Sequence, residues 1–374
     1  MDTKRILVVG ASSGWGHMKA AQNISAALTA ATEVWEPKVI DVFDYLPASS
    51  EGVINAAWRF ASKHLRPIYS KLYKRWISIP ADRLLNNLVI ARTARNLQTA
   101  HSLDNVVAFV ATHSLAAAVG ASLKRRHDFR FCVAATDFLL HSLQIHSSVD
   151  CFYVPPRFAL HASESESKIL RGKIVKTGIP IAADFSVRKN KYEARTKLGL
   201  VETITTALVS FGGDGLRAER HVDLCERLLE AGLPIQFIVL AGHNVRFAKA
   251  MEMRYGKSRY SDRIKVFGYH DDVIDFYSAA DIFIGKAGGL SISEALSLEL
   301  PIIFVDVLPG QEEFNVEVIT QLGLAQHAAP EFDRAWWTRT LSEIPRGNAL
   351  SPVFSASRSS LMVASHLHSL LQSS

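Results

Sequence analysis

The chain runs to 374 residues, enough for two domains, with 48% hydrophobic and 21% charged residues, the balance of a globular protein with sizeable cores. That composition excludes a disordered chain, and no apolar stretch reaches the ~20 residues of a transmembrane helix. A formal charge of +6 and a pI near 9.2 favour an anionic ligand or surface without separating nucleic acid from membrane. The three cysteines, Cys132, Cys151 and Cys225, have no paired spacing, which argues against a disulfide framework or a zinc site. Ile6 to Val9, the first apolar run, is too short for a signal peptide, so a cytoplasmic protein is expected.

Lys4 to Gly10 predicts a strand, followed by the turn GASSGWGH and a helix from about His17 to Ala30. The turn mimics the dinucleotide loop of short-chain dehydrogenases, whose chemistry needs a tyrosine with a lysine four residues on. None of the nine tyrosines has one, so that chemistry fails. His17 has another use at the helix start, where the helix end disfavours imidazolium and keeps a neutral base available near pH 7. A structural or solvated histidine is the competing meaning. Lys38 to Phe43 predicts the second strand. From Val53 to Arg95 the chain is helical, basic and aromatic, broken by Pro67 and Pro80. Trp58, Arg66, Tyr69, Lys74, Arg75 and Trp76 belong to a mixture suited to an amphipathic segment on anionic headgroups. The same composition also suits a solvated helix face over a core. Nucleic acid is the weaker option, because these aromatics sit beside aliphatics on helices rather than on an open sheet.

Val106 to Thr112 and Phe131 to Ala135 are all-apolar strands buried on both faces, ending in Thr112-His113 and Thr136-Asp137-Phe138. Strand ends on one edge of a parallel sheet collect ligands, which brings His113 and Asp137 toward His17. Asp137 orients His17 or an acceptor hydroxyl, or else caps a helix. His141 and His146 follow, but nothing supplies a convincing third ligand, and no metal is assigned. Lys173 to Lys176 closes the first half, and residues 186 to 203 are polar, as in a linker.

A second strand–helix series begins with Ala207 to Phe211, whose Gly212-Gly213 turn reads as one wall of a diphosphate pocket. Ile235 to Leu240 and Ile264 to Phe267 are strands, the latter followed by Gly268-Tyr269. Ile282 to Ile284 leads to Gly288-Gly289 and a helix beginning at about Ser291, with Glu294 in its first turn. Pro301 ends it, and Ile302 to Val305 runs into Pro309-Gly310-Gln311-Glu312. Gly288 and Gly289 hold no side chain between backbone and ligand, and the helix N–H groups beyond them favour an anion. Glu294, about one turn away, can accept both hydroxyls of a ribose, and Gln311 and Glu312 present polar side chains on the same edge. Phosphate, ribose and a polyhydroxylated group in a row describe a nucleotide-sugar. A Ser-rich stretch after Gly347 leads to a last helix, Leu361 to Leu371, and no internal repeat is detectable.

GGLSISEA from Gly288, followed by PGQEEFN from Pro309, resembles the donor signature of the inverting glycosyltransferases that include the monogalactosyl- and processive glucosyl-diacylglycerol synthases. The lipid-linked peptidoglycan N-acetylglucosaminyltransferase is a more distant member. Gly14-Trp15-Gly16-His17 resembles that family's GGGH or GNGH, with Trp15 where the family has Gly or Asn. TDFLLH from Thr136 and TGIP from Thr177 are similar to its TDF-x-x-H and TGIP, while a family Trp is Leu143 here.

The resemblance implies an α/β GT-B fold, two Rossmann-like doubly wound domains facing across a cleft. Residues 1–180 would bind acceptor and membrane, residues 181–350 the UDP-sugar, and residues 351–374 would return to the first domain as a helix. It implies transfer of a hexose, with inversion, to diacylglycerol or a glycosyldiacylglycerol at the inner face of the cell membrane, with His17 as general base. Glu294 then holds the ribose, Gln311 and Glu312 hold the sugar, and Phe267, Gly268 and Tyr269 hold the uracil. Gly16, Gly212, Gly213, Gly288, Gly289 and Ser291 complete the donor set, and His113 and His141 join the basic aromatic segment on the acceptor side. No metal, no cofactor beyond the UDP-sugar donor and no nucleic acid partner are expected. A UDP-sugar 2-epimerase, a transferase with a soluble acceptor and a non-catalytic nucleotide-sugar sensor remain as alternatives.

Overall fold

The computed structural model describes residues 4–12, 15–47, 88–210, 212, 218–308, 310–328, 332–343 and 356–373. Trp58, Arg66, Tyr69, Lys74, Arg75, Trp76 and Gly213, together with Gly14 and Pro309 of the motifs, lie outside the described residues. Backbone contacts divide the chain into two units. The first comprises Met1–Ala183, Leu308–Val318 and Arg358–Ser374, and the second Asp184–Val307 and Ile319–Ser357.

In the first unit the apolar run of β1 (Lys4–Gly10) does not alternate, because both faces of that strand are covered. Ile6 and Val8 pack with Ala21, Ile24 and Leu28 of the helix Gly16–Ala31, and with Val363, Ala364 and Leu367 of the last helix, Ser359–Gln372. Leu7 and Val9 point the other way, into a core with Phe109, Val119 and Phe131. β2 (Trp35–Asp41) starts earlier than Lys38 and stops before Phe43. It is the edge strand, where Pro37 is tolerated, and the Asp41 carboxylate accepts the Phe43 N–H at 3.0 Å, turning the chain out of the sheet.

β3 (Val106–Ala111) and β4 (Arg130–Ala134) follow as expected, while β5 (Leu139–His141) pairs with β7 (Ala159–His161) in a small sheet of its own. β6 (Cys151–Val154) and β8 (Ile174–Lys176) complete a parallel sheet in the order β2-β1-β3-β4-β6-β8. Its direction of winding reverses between β1 and β3, so their C-terminal ends are where a ligand crevice forms.

The second unit is built from β9 (Thr205–Ser210), β10 (Ile235–Leu240), β11 (Ile264–Phe267), β12 (Ile282–Gly285), β13 (Ile302–Phe304) and β14 (Ala325–His327). All pairs are parallel, in the order β11-β10-β9-β12-β13-β14, the Rossmann winding with its reversal between β9 and β12. The helix after β12 spans Gly289–Ser297 rather than starting at Ser291. Gly288 supplies an extended N-cap and accepts the Ile292 N–H at 3.0 Å, so the first turn forms two residues earlier than expected. Glu294 therefore lies in the second turn, not the first.

β12 is anchored at its entrance by Asp281, whose carboxylate accepts the Thr206 N–H at 2.8 Å and pairs with Lys191 at 2.7 Å and Arg195 at 2.5 Å. Burial pushes this carboxyl up, yet these partners pull harder and leave it below the usual range. A depressed native pKa contributes stability that is present at neutral pH and lost as pH falls through it. Asp281→Asn should lower the stability of the second unit by about 3 kcal/mol at pH 7. In urea titrations the gap from the parent should shrink below about pH 4; a gap independent of pH would show that the charge contributes nothing.

Candidate active site

The ring of His17 hangs over the end of β3. Its Nδ1 lies 2.9 Å from the main-chain carbonyl of Thr112 and 2.7 Å from Thr136 Oγ1. A carbonyl oxygen can only accept, so Nδ1 carries the proton and the neutral ring leaves Nε2 as the lone-pair nitrogen. The Thr136 hydroxyl takes a share of the same N–H and donates to Asp137 Oδ2 at 3.3 Å. In return the Thr112 hydroxyl donates to the His17 carbonyl at 2.8 Å, tying the first turn of the helix to the strand end. Burial lowers the His17 pKa, against the opposing pull of Asp137 and of the Thr112 carbonyl. The imidazole is therefore neutral at pH 7, with its basic nitrogen unprotonated.

His113 caps the helix Ser114–Lys124, its Nδ1 accepting the Leu115 N–H at 3.2 Å, and its ring meets that of His17 edge-on at 4.7 Å. Burial, then His17 and His141, hold it well below the usual imidazole range. His141 is buried, and its pKa is pushed down to about 3 by burial and by His161 and His17. Among the described residues, no three His, Cys, Asp or Glu side chains are grouped so as to hold a metal ion.

Asp137 is not a helix cap. Its Oδ1 accepts from Asn315 Nδ2 at 2.8 Å and its Oδ2 from the Gln311 amide, while Asn315 Oδ1 accepts the Phe138 N–H at 2.8 Å. The start of the helix Gln311–Gln321 thus groups with the first unit, although sequence reading gave Gln311 and Glu312 to the second. Glu312 is buried and accepts the Leu308 N–H at 2.9 Å, folding its own loop.

In the second unit, Gly288 and Gly289 open their helix at the reversal point of the sheet. Buried Glu294 accepts from the phenol of Tyr277, a group that burial and the Glu294 charge hold well above its usual pKa and that Ser291 also contacts. Gly212, beyond β9, is left-handed at φ +73°, and a Cβ there would come within 2.5 Å of Lys286 Cε and 3.1 Å of its Nζ. A cation thus lies along the glycine turn. Tyr269 stacks on His243 at 3.9 Å and donates to Asp271 at 2.8 Å, and Phe267 packs against Phe276, with Gly268 between these two aromatics in sequence. Sequence reading missed Thr112, Thr136, Asn315, Tyr277 and Lys286. Only the two threonines carried a signal, Thr112 standing directly after one buried strand and Thr136 two residues beyond another.

Residues 208–325 match the C-terminal domain of glycosyltransferase family 28. The processive diacylglycerol beta-glucosyltransferase of Bacillus cereus (strain B4264) is 24% identical over 333 residues, covering 86% of this chain and 81% of its own. Residues 208–325 thus resemble the family 28 C-terminal domain, and the chain is similar to diacylglycerol glucosyltransferases over most of its length. The crystal structure of MurG from Acinetobacter baumannii superposes with a TM-score of 0.58 at 16% identity, over 99% of this chain and 100% of that one. UGT71G1 of Medicago truncatula, solved with UDP-glucose, gives 0.58 at 12% identity, over 99% and 97%. The architecture is GT-B, with two Rossmann-like domains, and the molecule is a UDP-sugar-dependent glycosyltransferase. Among its described residues no helix is long and apolar enough to cross a membrane.

One departure of this glycosyltransferase from the pattern of the family it resembles has a backbone cause. Trp15, the N-cap residue before Gly16, is left-handed at φ 62°, a region open to Gly and, among side chains, best to Asn. The family residues at this position, Gly or Asn, are the ones that region admits at least cost. A β-branched side chain there is strained by about 1–2 kcal/mol. Trp15→Val should therefore melt several degrees below Trp15→Asn, both variants having lost the indole, and equal melting temperatures would remove the strain.

Proposed function

We propose that the chain transfers a hexose from a UDP-sugar to the hydroxyl of diacylglycerol or a glycosyldiacylglycerol, inverting the anomeric centre, with His17 as general base. The observation that carries the assignment is the Nδ1 contact of His17 with the Thr112 carbonyl, which leaves Nε2 to receive a proton. The acceptor O–H gives its proton to Nε2 as its oxygen attacks the anomeric carbon, and the bond to UDP breaks with its electron pair leaving on the diphosphate. Asp137 stabilises the imidazolium so formed. In the second unit, Glu294 holds the ribose hydroxyls, with Tyr277 fixing its carboxylate, and the N–H groups at Gly289 and Ser291 meet the diphosphate beside Gly288, whose own N–H donates to the Lys286 carbonyl at 3.0 Å. Gly212 and Gly213 line the same anion, Phe267, Gly268 and Tyr269 take the uracil, and Gln311 and Glu312 the sugar. Gly16 lies in the turn that carries the base. No metal or further cofactor enters the scheme. The relatives called processive diacylglycerol beta-glucosyltransferase support diacylglycerol as acceptor. The excess of basic residues supports peripheral attachment to an anionic membrane at the inner face, through Trp58, Arg66, Tyr69, Lys74, Arg75 and Trp76, with His113 and His141 beside the acceptor. No role for nucleic acid is proposed.

Radiolabelled UDP-glucose incubated with diacylglycerol in phosphatidylglycerol vesicles should yield labelled glycolipid. His17→Ala should reduce turnover by roughly 10²-fold or more with UDP affinity nearly unchanged, and near-normal turnover would remove the base. Glu294→Ala should weaken UDP binding by about tenfold or more, and unchanged calorimetry would remove the ribose contact.

A further inference from the structure

The Asp137 charge acts on His17, yet their side chains share no direct hydrogen bond; the hydroxyl of Thr136 stands between them. Its Oγ1 is 2.7 Å from His17 Nδ1 and 3.3 Å from Asp137 Oδ2. Thr136 is 3% exposed, so its hydroxyl must find partners within the protein. The direction of each bond follows from the neighbours. Nδ1 must donate, because the Thr112 carbonyl at 2.9 Å cannot. The Thr136 oxygen therefore accepts, and its single proton has the charged Asp137 oxygen at 3.3 Å as the nearer and stronger acceptor, against the Thr112 carbonyl at 3.5 Å, which the Nδ1–H already engages.

We propose that Thr136 is a positioning residue that transmits the Asp137 charge to the base and holds the His17 ring in its Nδ1–H tautomer. It touches no reacting atom and transfers no proton. When Nε2 takes the acceptor proton, the positive ring strengthens its Nδ1–H bond to Thr136, whose own O–H bond to Asp137 strengthens in turn. Asp137 is prepared for this role by Asn315, which donates to its Oδ1, and by Gln311, which donates to the same Oδ2 that Thr136 uses, so that both oxygens are held and the carboxylate plane is fixed. A hydroxyl in this position does for a carboxylate–imidazole pair what direct contact does elsewhere, while keeping the carboxylate one hydrogen bond farther from the ring.

The inference rests on His17 being the base, and its test separates the two. The groups facing His17 are Asp137 beyond β4, His113 at the start of the helix after β3, and His141 at the end of β5. Of these only Asp137 raises the His17 pKa; removing the Thr136 oxygen takes away an acceptor that bonds the Nδ1–H of the charged ring more strongly than that of the neutral one, so its loss lowers that pKa. Thr136→Val keeps the shape and removes the hydroxyl. With UDP-glucose and diacylglycerol vesicles, it should lose roughly ten- to a hundredfold in kcat with KM for UDP-glucose little changed. The acid limb of its pH profile should move to lower pH, and Thr136→Ser should restore most of the rate and the parental limb. Adding Thr136→Val to His17→Ala should cost nothing further, because the hydroxyl acts only through that ring. A parental kcat and limb in Thr136→Val, or a Ser variant as impaired as Val, overturns the relay while leaving the base intact. Full activity in His17→Ala overturns the base and the relay together. Should the Val variant fail to fold, histidine 15N spectra of the unmodified protein decide: His17 is expected as the Nδ1–H tautomer at neutral pH, and an Nε2–H signal overturns the assignment.

Discussion

A main-chain carbonyl that cannot donate, set 2.9 Å from one nitrogen of His17, determines which nitrogen of that ring can do chemistry, and much of the first unit serves to keep the two together. β3 delivers the carbonyl at the reversal point of the sheet, held in register by β1 on one side and β4 on the other. The helix Gly16–Ala31 delivers the ring from the end of β1. The two approach closely only because Gly10 lacks a side chain: a Cβ there would stand 2.9 Å from Met18 Sδ, 3.0 Å from the His17 carbonyl and 3.2 Å from Thr112 Oγ1. Parallel β-structure, a glycine at the strand end and a left-handed Trp15 are thus three conditions of one contact.

The second unit applies the same topology to a different task. Its winding reverses between β9 and β12, and both strands end in glycine-bearing turns. Around Gly288 the backbone offers N–H groups to an anion. At Gly212 the absent side chain gives room to Lys286. The Asp281 anchor lies at the opposite end of β12, among Thr206, Lys191 and Arg195, so the charged anchor and the glycine turn occupy the two ends of the same strand.

Much of this was legible because parallel strands buried on both faces write unbroken apolar runs, and the residue after each run lies at the ligand edge. His113 and Asp137 could be placed by that logic, and His17 by the glycine turn that leads into the start of its helix. What could not be read were partnerships between strand ends, since nothing in the spacing of Thr112, Thr136 and His17 says that a hydroxyl will fall between a ring and a carboxylate. Tyr277 was hidden for a related reason: it lies on a short helix of mostly buried residues, Ile274–Ala279, and only the fold turns its phenol toward Glu294. Gln311 was read from the family signature as a sugar ligand, and in the ligand-free chain its amide rests on Asp137. The early start of the helix at Gly289 escaped because a glycine N-cap carries no side-chain signal, unlike Ser or Asp.

The neutral histidines around the base bear on how a loaded site handles charge. His113 and His141 have no opposing acid among the causes that shift them, and both are held far below the range in which imidazoles ordinarily take up protons. They therefore add polarity and shape without storing charge. On the proposed function, an alcohol entering beside them meets two uncharged rings, and the proton it loses is left to His17.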